Sequence, residues 1–110
     1  MVKVIALIKR RPSLTREEFL HHWQVKHPPI IWALPGVRRY VQNPAIAHSK
    51  EWPYDGAAEM WFDSVKDVAI AFDSPGAGPM HEHEKAFIED ITWFLAEEVE
   101  VTEPASGGIS

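Results

Sequence analysis

Residues 2–9, VKVIALIK, form a strand that is apolar on both sides. With a period of two, Val2, Val4, Ala6 and Ile8 fall on one face, while Ile5 and Leu7 make the opposite face apolar as well. Successive side chains of a strand point to opposite faces of its sheet, so such a strand needs cover on both. A chain of 110 residues makes one domain and has few elements with which to build two covering layers. A second copy of the chain is the expected cover for one face.

Helix signals follow RRPS. Thr15 and Glu18 have the spacing of a capping box, and Leu14 can staple onto Phe19. This helix carries Phe19, Leu20 and Trp23 as its buried stripe. It is expected to end or kink near His27, because Pro28 and Pro29 disfavour helical backbone in the residue before them. The stretch IIWAL adds a further turn before the Pro35-Gly36 break.

Residues 37–43, VRRYVQN, read as the second strand, with Val37, Arg39 and Val41 on one face and Arg38, Tyr40 and Gln42 on the other. A loop over 44–56 leads to the third strand, AAEMWFD at 57–63. There Ala58, Met60 and Phe62 make an apolar face and Glu59 and Trp61 share the opposite one. Ser64 caps a helix with Val65, Val68, Ala69 and Phe72 at helical spacing. SPGAGP at 74–79 interrupts it, a further helix is expected from Met80 to Asp90, and the last strand from Trp93 to Val101. Residues 102–110 are small and polar and are expected to form a disordered tail beyond a domain spanning 1–101.

The order βαββαβ specifies an α+β, ferredoxin-like architecture: a four-stranded antiparallel sheet with two helices on one face. The opposite face is expected to carry Tyr40, Glu59, Trp61 and one of the two apolar sets of the first strand. That surface is too large to leave in water. Two copies packed sheet to sheet give a homodimeric α/β barrel that encloses an apolar pocket between them.

Composition narrows the function. Sixteen acidic against eleven basic residues give a net charge of −5, a field that repels a phosphate backbone, so nucleic acid is not an expected partner. The absence of cysteine removes disulfides, thiolate metal sites and cysteine nucleophiles. Apolar runs fall well short of the ~18 residues of a membrane span. The basic residues near the N-terminus follow the apolar run rather than precede it, the reverse of a secretory signal. A cytoplasmic protein with no membrane partner is expected.

The segments FLHHWQVKHP at 19–28, LPGVRRY at 34–40 and YDGAAEMWFDS at 54–64 resemble the EthD family of dimeric α/β-barrel proteins, over about residues 2–101. The resemblance implies the ferredoxin-like fold and the dimer. More distantly the chain is similar to methylmuconolactone isomerases, cofactor-free members of the same barrel group. That likeness implies a catalytic pair of His27 and Tyr40 and no cofactor. The same barrel group includes polyketide cyclases and haem-degrading monooxygenases, so the fold alone selects no reaction.

The residue chemistry agrees with a proton-transfer role. The imidazole of His27 can take and return a proton near neutral pH, and a helix C-terminus would favour its protonated form. Against this stands a histidine that merely caps the helix. Tyr40 could donate to an enolate or lactone oxygen, or simply line the barrel. Glu59 on a half-buried strand face should titrate high unless a cation meets it; Arg38 is the expected cation, and an unpaired Glu59 is a second candidate general base, both residues being counted with the expected substrate-binding set.

His21 and His22, like His81 and His83, are spaced one or two apart on a helix, which is not the i, i+4 spacing of a metal pair, so no metal site is expected. His22 and His81 can still line a pocket edge. Of five tryptophans, Trp23 and Trp93 read as packing, Trp23 also bordering the binding set, while Trp52 or Trp61 could stack on a flat ligand. The expected function is therefore a cofactor-independent isomerase, cyclase or dehydratase of a small aromatic, lactone or polyketide-like molecule. A monooxygenase-like oxidoreductase with a histidine-ligated haem, or a non-catalytic ligand-binding dimer, are the competing readings.

Overall fold

The doubly apolar first strand takes an interior place in the sheet. In a computed structural model that describes residues 1–104, β1 (Val2–Arg10) pairs antiparallel with β3 (Gly56–Phe62) on one side and with β4 (Ile88–Ala96) on the other. β2 (Arg39–Pro44) pairs antiparallel with β3, which gives the order β2-β3-β1-β4. This is the expected ferredoxin-like α+β sheet.

The Thr15–Glu18 capping box forms as expected and starts α1 (Arg16–His21). The helical arm does not stop at His27. It widens into a π-helical turn at His22–Lys26, where the His27 N–H donates to the His22 carbonyl five residues back at 2.9 Å. It then resumes as α2 (Pro28–Trp32), with Pro28 at the first helical position, where its fixed φ suits a helix start. The arm ends before a turn in which Gly36 takes a φ of +84°, a conformation that favours glycine. Ser64 caps α3 (Val65–Asp73), and α4 (Ala77–Phe87) begins within the SPGAGP segment rather than after it.

The last strand starts at Ile88, five residues before the expected Trp93, directly after Phe87 of α4. The polar Glu89 and Asp90 conceal it in the sequence, because β4 is an edge strand whose residues are largely exposed. Pairing decides its limits: Ile88 lies opposite Arg10 and Ala96 opposite Lys3. Of the expected tail, residues 102–104 belong to no helix or strand, and 105–110 lie outside the described residues.

The helices cover the face formed by Val4, Ala6 and Ile8, and the core divides into two clusters there. One gathers Val4, Ile31, Leu34, Met60, Phe62 and Met80 with the small residues of α3 and α4. The other gathers Ala6, Ile8, Phe19, Trp23, Ala58, Phe87 and Ile88. Tyr40 packs against both.

Tyr40 therefore lies on the helix side of the sheet, not on the bare face expected for it. Residues facing each other across an antiparallel pair share a face, and Tyr40 faces Met60, which faces Val4. The bare face carries Lys3, Ile5, Leu7, Arg39, Val41, Glu59, Trp61 and Phe94. Of the two β1 sets, the Ile5/Leu7 pair is the one left there. Among the described residues, no helix is long and apolar enough to cross a membrane.

Candidate functional site

A cavity of about 260 Å³ lies between the sheet and the helices, where the two core clusters fail to meet. Its floor explains it. Ala6 and Ala58 face each other across β1 and β3, so the middle of the sheet presents methyl groups where larger side chains would fill the space. Val4, Met60, Ile31 and Trp23 supply hydrocarbon walls, and Ile91 and Trp93 of β4 stand at the open side. Four lining residues bring side-chain acid–base groups to the cavity: His27, Tyr40, His81 and Glu84.

His27 is 4% exposed, at the junction of the π-helical turn and α2. Burial first, and the neighbouring His83 second, lower its pKa from 6.5 to about 4. The expectation that a helix end would hold it protonated is thus reversed. Desolvation outweighs a terminal dipole, and His27 is also the N-cap of α2, whose positive end disfavours charge. At neutral pH it is a neutral imidazole. Its Nδ1 meets Nδ1 of His83 at 2.8 Å, which leaves Nε2 as the ring nitrogen outside that contact.

Tyr40 is positioned by Pro28. The Trp23 carbonyl would ordinarily accept from the N–H of residue 27 or, in a π turn, of residue 28. The first of these serves His22, and Pro28 has no N–H. Gln42, two residues beyond Tyr40 on the same strand face, donates to that orphaned carbonyl at 2.7 Å. It also donates to the Tyr40 hydroxyl at 2.8 Å. With a hydrogen bond accepted at its oxygen, Tyr40 keeps its own proton to donate. Burial pushes the phenol pKa up, so it stays protonated.

Glu84 sits beside His81, its Oε1 at 3.1 Å from His81 Nδ1. Burial raises the Glu84 pKa, and the His81 contact opposes this. Neither Glu84, Gln42 nor His83 stands out in the sequence by residue type. The signal that points to two of them is spacing: Met80, His83, Glu84 and Phe87 fall at i, i+3, i+4 and i+7, the inward face of α4.

The remaining candidates are placed elsewhere. Trp61 and Glu59 lie on the bare face of the sheet, and Arg38 just before β2. The cation that meets Glu59 is Lys3, at 2.8 Å, and it lowers the carboxyl pKa; Arg38 instead pairs with Asp63 at 2.8 Å. Lys3 is the cross-strand neighbour of Trp61 on β1, one diagonal step from Glu59, whereas Arg38 precedes the strand and turns outward. Trp61 is covered by the cations of Lys3 and Arg39, 4.9 and 4.5 Å from its ring. Trp52 borders a separate, polar groove with Arg10 and Arg16 and donates its indole N–H to the Ile46 carbonyl. His22 is outside the cavity lining and contacts His83, Nδ1 to Nε2, at 3.2 Å.

Comparison with known proteins agrees with this architecture. An EthD family protein from Bacillus halodurans superposes with a TM-score of 0.76 at 23% identity, over 90% of this chain and 99% of its own. A dimeric protein with a ferredoxin-like fold from Bacteroides fragilis does so at 0.68 and 15% identity, covering 88% and 95%. A DABB family protein with a ferredoxin-like fold from Mesorhizobium loti gives 0.69 at 16%, covering 90% and 97%. Likeness at these identities shows the fold alone. No curated protein matches the chain in sequence. Residues 11–90 match the EthD domain, a span that holds His27, Tyr40, Gln42 and the whole of α4, and on that match the chain belongs to the EthD family.

Proposed function

We propose that this chain is an enzyme that moves a proton on a small, largely apolar molecule held between the sheet and the helices. The reaction class is isomerisation, cyclisation or dehydration of a lactone, aromatic or polyketide-like substrate, with no bound cofactor. One observation carries the reading: His27 and Tyr40 open onto the same cavity, whose remaining walls are mainly hydrocarbon. A pocket of this size, near the lower end of the usual ~300–1,000 Å³, suits a one- or two-ring molecule. It leaves little room for a porphyrin, so the haem-bearing alternative is the weaker one.

The neutral Nε2 of His27 would take a proton from carbon next to a carbonyl, and the C–H electron pair would move into the enolate. Tyr40, held by Gln42, would donate to the oxygen on which negative charge develops. A histidine with a depressed pKa is a weak base but gives its proton back readily. The same imidazolium could then reprotonate a second carbon, or a leaving hydroxyl in a dehydration. Trp23 and His81 would serve as walls around the substrate. Trp61, Glu59 and Arg38 are not assigned to it, since none borders this cavity.

The bare face of the sheet belongs to the same proposal. Ile5, Leu7, Val41 and Phe94 sit on one surface with no helix or strand among the described residues over them, and Phe94 is 50% exposed. A second copy of the chain is proposed to cover that face. Support comes from its apolar character and from the dimeric relative of the same fold.

The test is turnover of a panel of small lactones and aromatic β-hydroxyketones. His27→Ala is expected to lower kcat by about 10²–10⁴-fold, as loss of a general base does. Tyr40→Phe is expected to lower it by about 10²-fold while KM changes little. Binding without turnover in the unmodified protein would favour the non-catalytic alternative. Full turnover by both variants would remove the assigned roles.

A further inference from the structure

His83 touches two other histidines and uses a different ring nitrogen for each. Its Nδ1 is 2.8 Å from Nδ1 of His27, and its Nε2 is 3.2 Å from Nδ1 of His22. The three rings are gathered by Phe87, whose ring stacks on His22 at 5.8 Å, meets His27 edge-on at 5.2 Å and lies 4.9 Å from His83. His27 is buried, whereas His83 and His22 are partly exposed. The row thus runs from the cavity to the surface.

We propose that His27, His83 and His22 form a proton relay that connects the cavity with solvent. The proposal rests on His27 being the group that moves a proton in the cavity, and its test is independent of turnover.

A neutral imidazole has one donor nitrogen and one acceptor nitrogen, so the two contacts constrain each other. In one arrangement His27 Nδ1–H donates to His83 Nδ1, and His83 Nε2–H donates to His22 Nδ1. His27 Nε2 is then a bare acceptor. In the other arrangement every bond is reversed, and His27 Nε2 carries a proton. Conversion of the first into the second balances completely. His27 gains a proton at Nε2 and passes its Nδ1 proton to His83 Nδ1. His83 passes its Nε2 proton to His22 Nδ1, and His22 releases its Nε2 proton to water. No bond to carbon changes and no charge stays buried.

The surroundings favour neutral rings. Burial lowers the pKa of all three, and Lys26 on the π-helical turn lowers those of His22 and His83 further. His21 acts against charge on His22, and Glu18 of α1 favours it there. On α4, the nearby Glu84 is engaged by His81. Because His83 turns its two nitrogens to different neighbours, the three rings do not converge on one point. Among the described residues, no group of three such side chains is arranged to hold a metal.

The experiment is ring-nitrogen NMR of the full chain with labelled histidine, following exchange of the His27 ring proton with water. A buried ring proton without a conduit exchanges only when the structure opens. His22→Phe keeps the stack on Phe87 while removing the outer nitrogens, and is expected to slow this exchange about tenfold or more. His83→Phe is expected to do the same. In the unmodified chain the His27 nitrogens should also shift at the titration midpoint of His22, and His83→Phe should abolish that shift. Exchange that is unchanged or faster in His22→Phe overturns the relay, and a merely structural role for these rings predicts that result. Should exchange behave as expected while His27→Ala retains full turnover, the relay stands and the proposed catalytic role falls.

Discussion

His27 combines deep burial with a side chain able to carry charge, and that combination has a consequence for acid stability. Its pKa in the fold is about 4 against an ordinary 6.5, so between those values the unfolded chain binds more protons than the folded one. Stability is therefore full above about pH 6.5, declines as pH falls through this window and levels off below about 4. His27 alone accounts for about 3 kcal/mol over that range. His22 and His83, both shifted down, act in the same direction, and Glu84, shifted up by burial, acts against it. Urea unfolding at about pH 7 and about pH 4.5 measures the effect; His27→Gln should flatten the pH dependence by about 2–3 kcal/mol. An equally steep dependence in that variant would show that His27 is not the group responsible. At this scale the sequence was legible where a residue's role depends on its neighbours in the chain, as with Thr15 and Glu18. It was not legible for Tyr40, whose face follows from β2 meeting β3 with Arg39 opposite Trp61, or for His83, whose partners are 56 and 61 residues away.

The π-helical turn shows how one element positions another. Pro28 leaves the Trp23 carbonyl without a donor, Gln42 reaches across from β2 to supply one, and Tyr40 is held as a result. The paired prolines mark a disturbance in the sequence, and a helix end is the ordinary reading of them. That the arm instead widens and resumes depends on burial of Trp23 and Ile31 against the sheet, which is tertiary. Gly56, the first residue of β3, reports on the same contact. A Cβ there would lie 2.5 Å from the Trp23 ring and 3.1 Å from the Asn43 carbonyl, so Gly56→Ala must displace the indole or the strand. The expected cost is about 1–3 kcal/mol, the range for overpacking, read as a lower urea midpoint with an unchanged slope. Because Trp23 also borders the cavity, this variant should weaken ligand binding without touching His27 or Tyr40. Stability equal to that of the unmodified chain would mean that the turn yields without strain. The early start of β4 was illegible for a related reason: its pairing with β1 overrides the polar Glu89 and Asp90, which local pattern reads as helix.

For the whole molecule, the apolar first strand was the most informative part of the sequence, and its two faces have separate fates. Val4, Ala6 and Ile8 are buried under the helices, whereas Ile5 and Leu7 remain half-buried on the bare face beside Phe94. That face is not uniformly greasy. Lys3 and Arg39 cover Trp61, and Lys3 pairs with Glu59, so its charged groups are already engaged within one chain. A second copy packing there would meet Lys3 and Glu59 already paired with each other, so neither of these two charges would be buried alone. Phe94 is the residue to change: at 50% exposure it contributes little to the core of one chain. Phe94→Glu should leave the unfolding cooperative but weaken self-association by about 30-fold, equivalent to the ~2 kcal/mol of covering two half-exposed aromatic rings, one from each copy. Light scattering across a dilution series measures this, with the unmodified chain expected at twice the monomer mass at micromolar concentration. A melting temperature that rises with protein concentration should accompany the dimer and disappear in the variant. A monomeric unmodified chain would leave the bare face unexplained, and an unaltered dimer in Phe94→Glu would place the contact on another surface. Since the cavity with His27 and Tyr40 lies on the opposite side of the sheet, the variant should keep its substrate affinity when assayed well below its dimer dissociation constant.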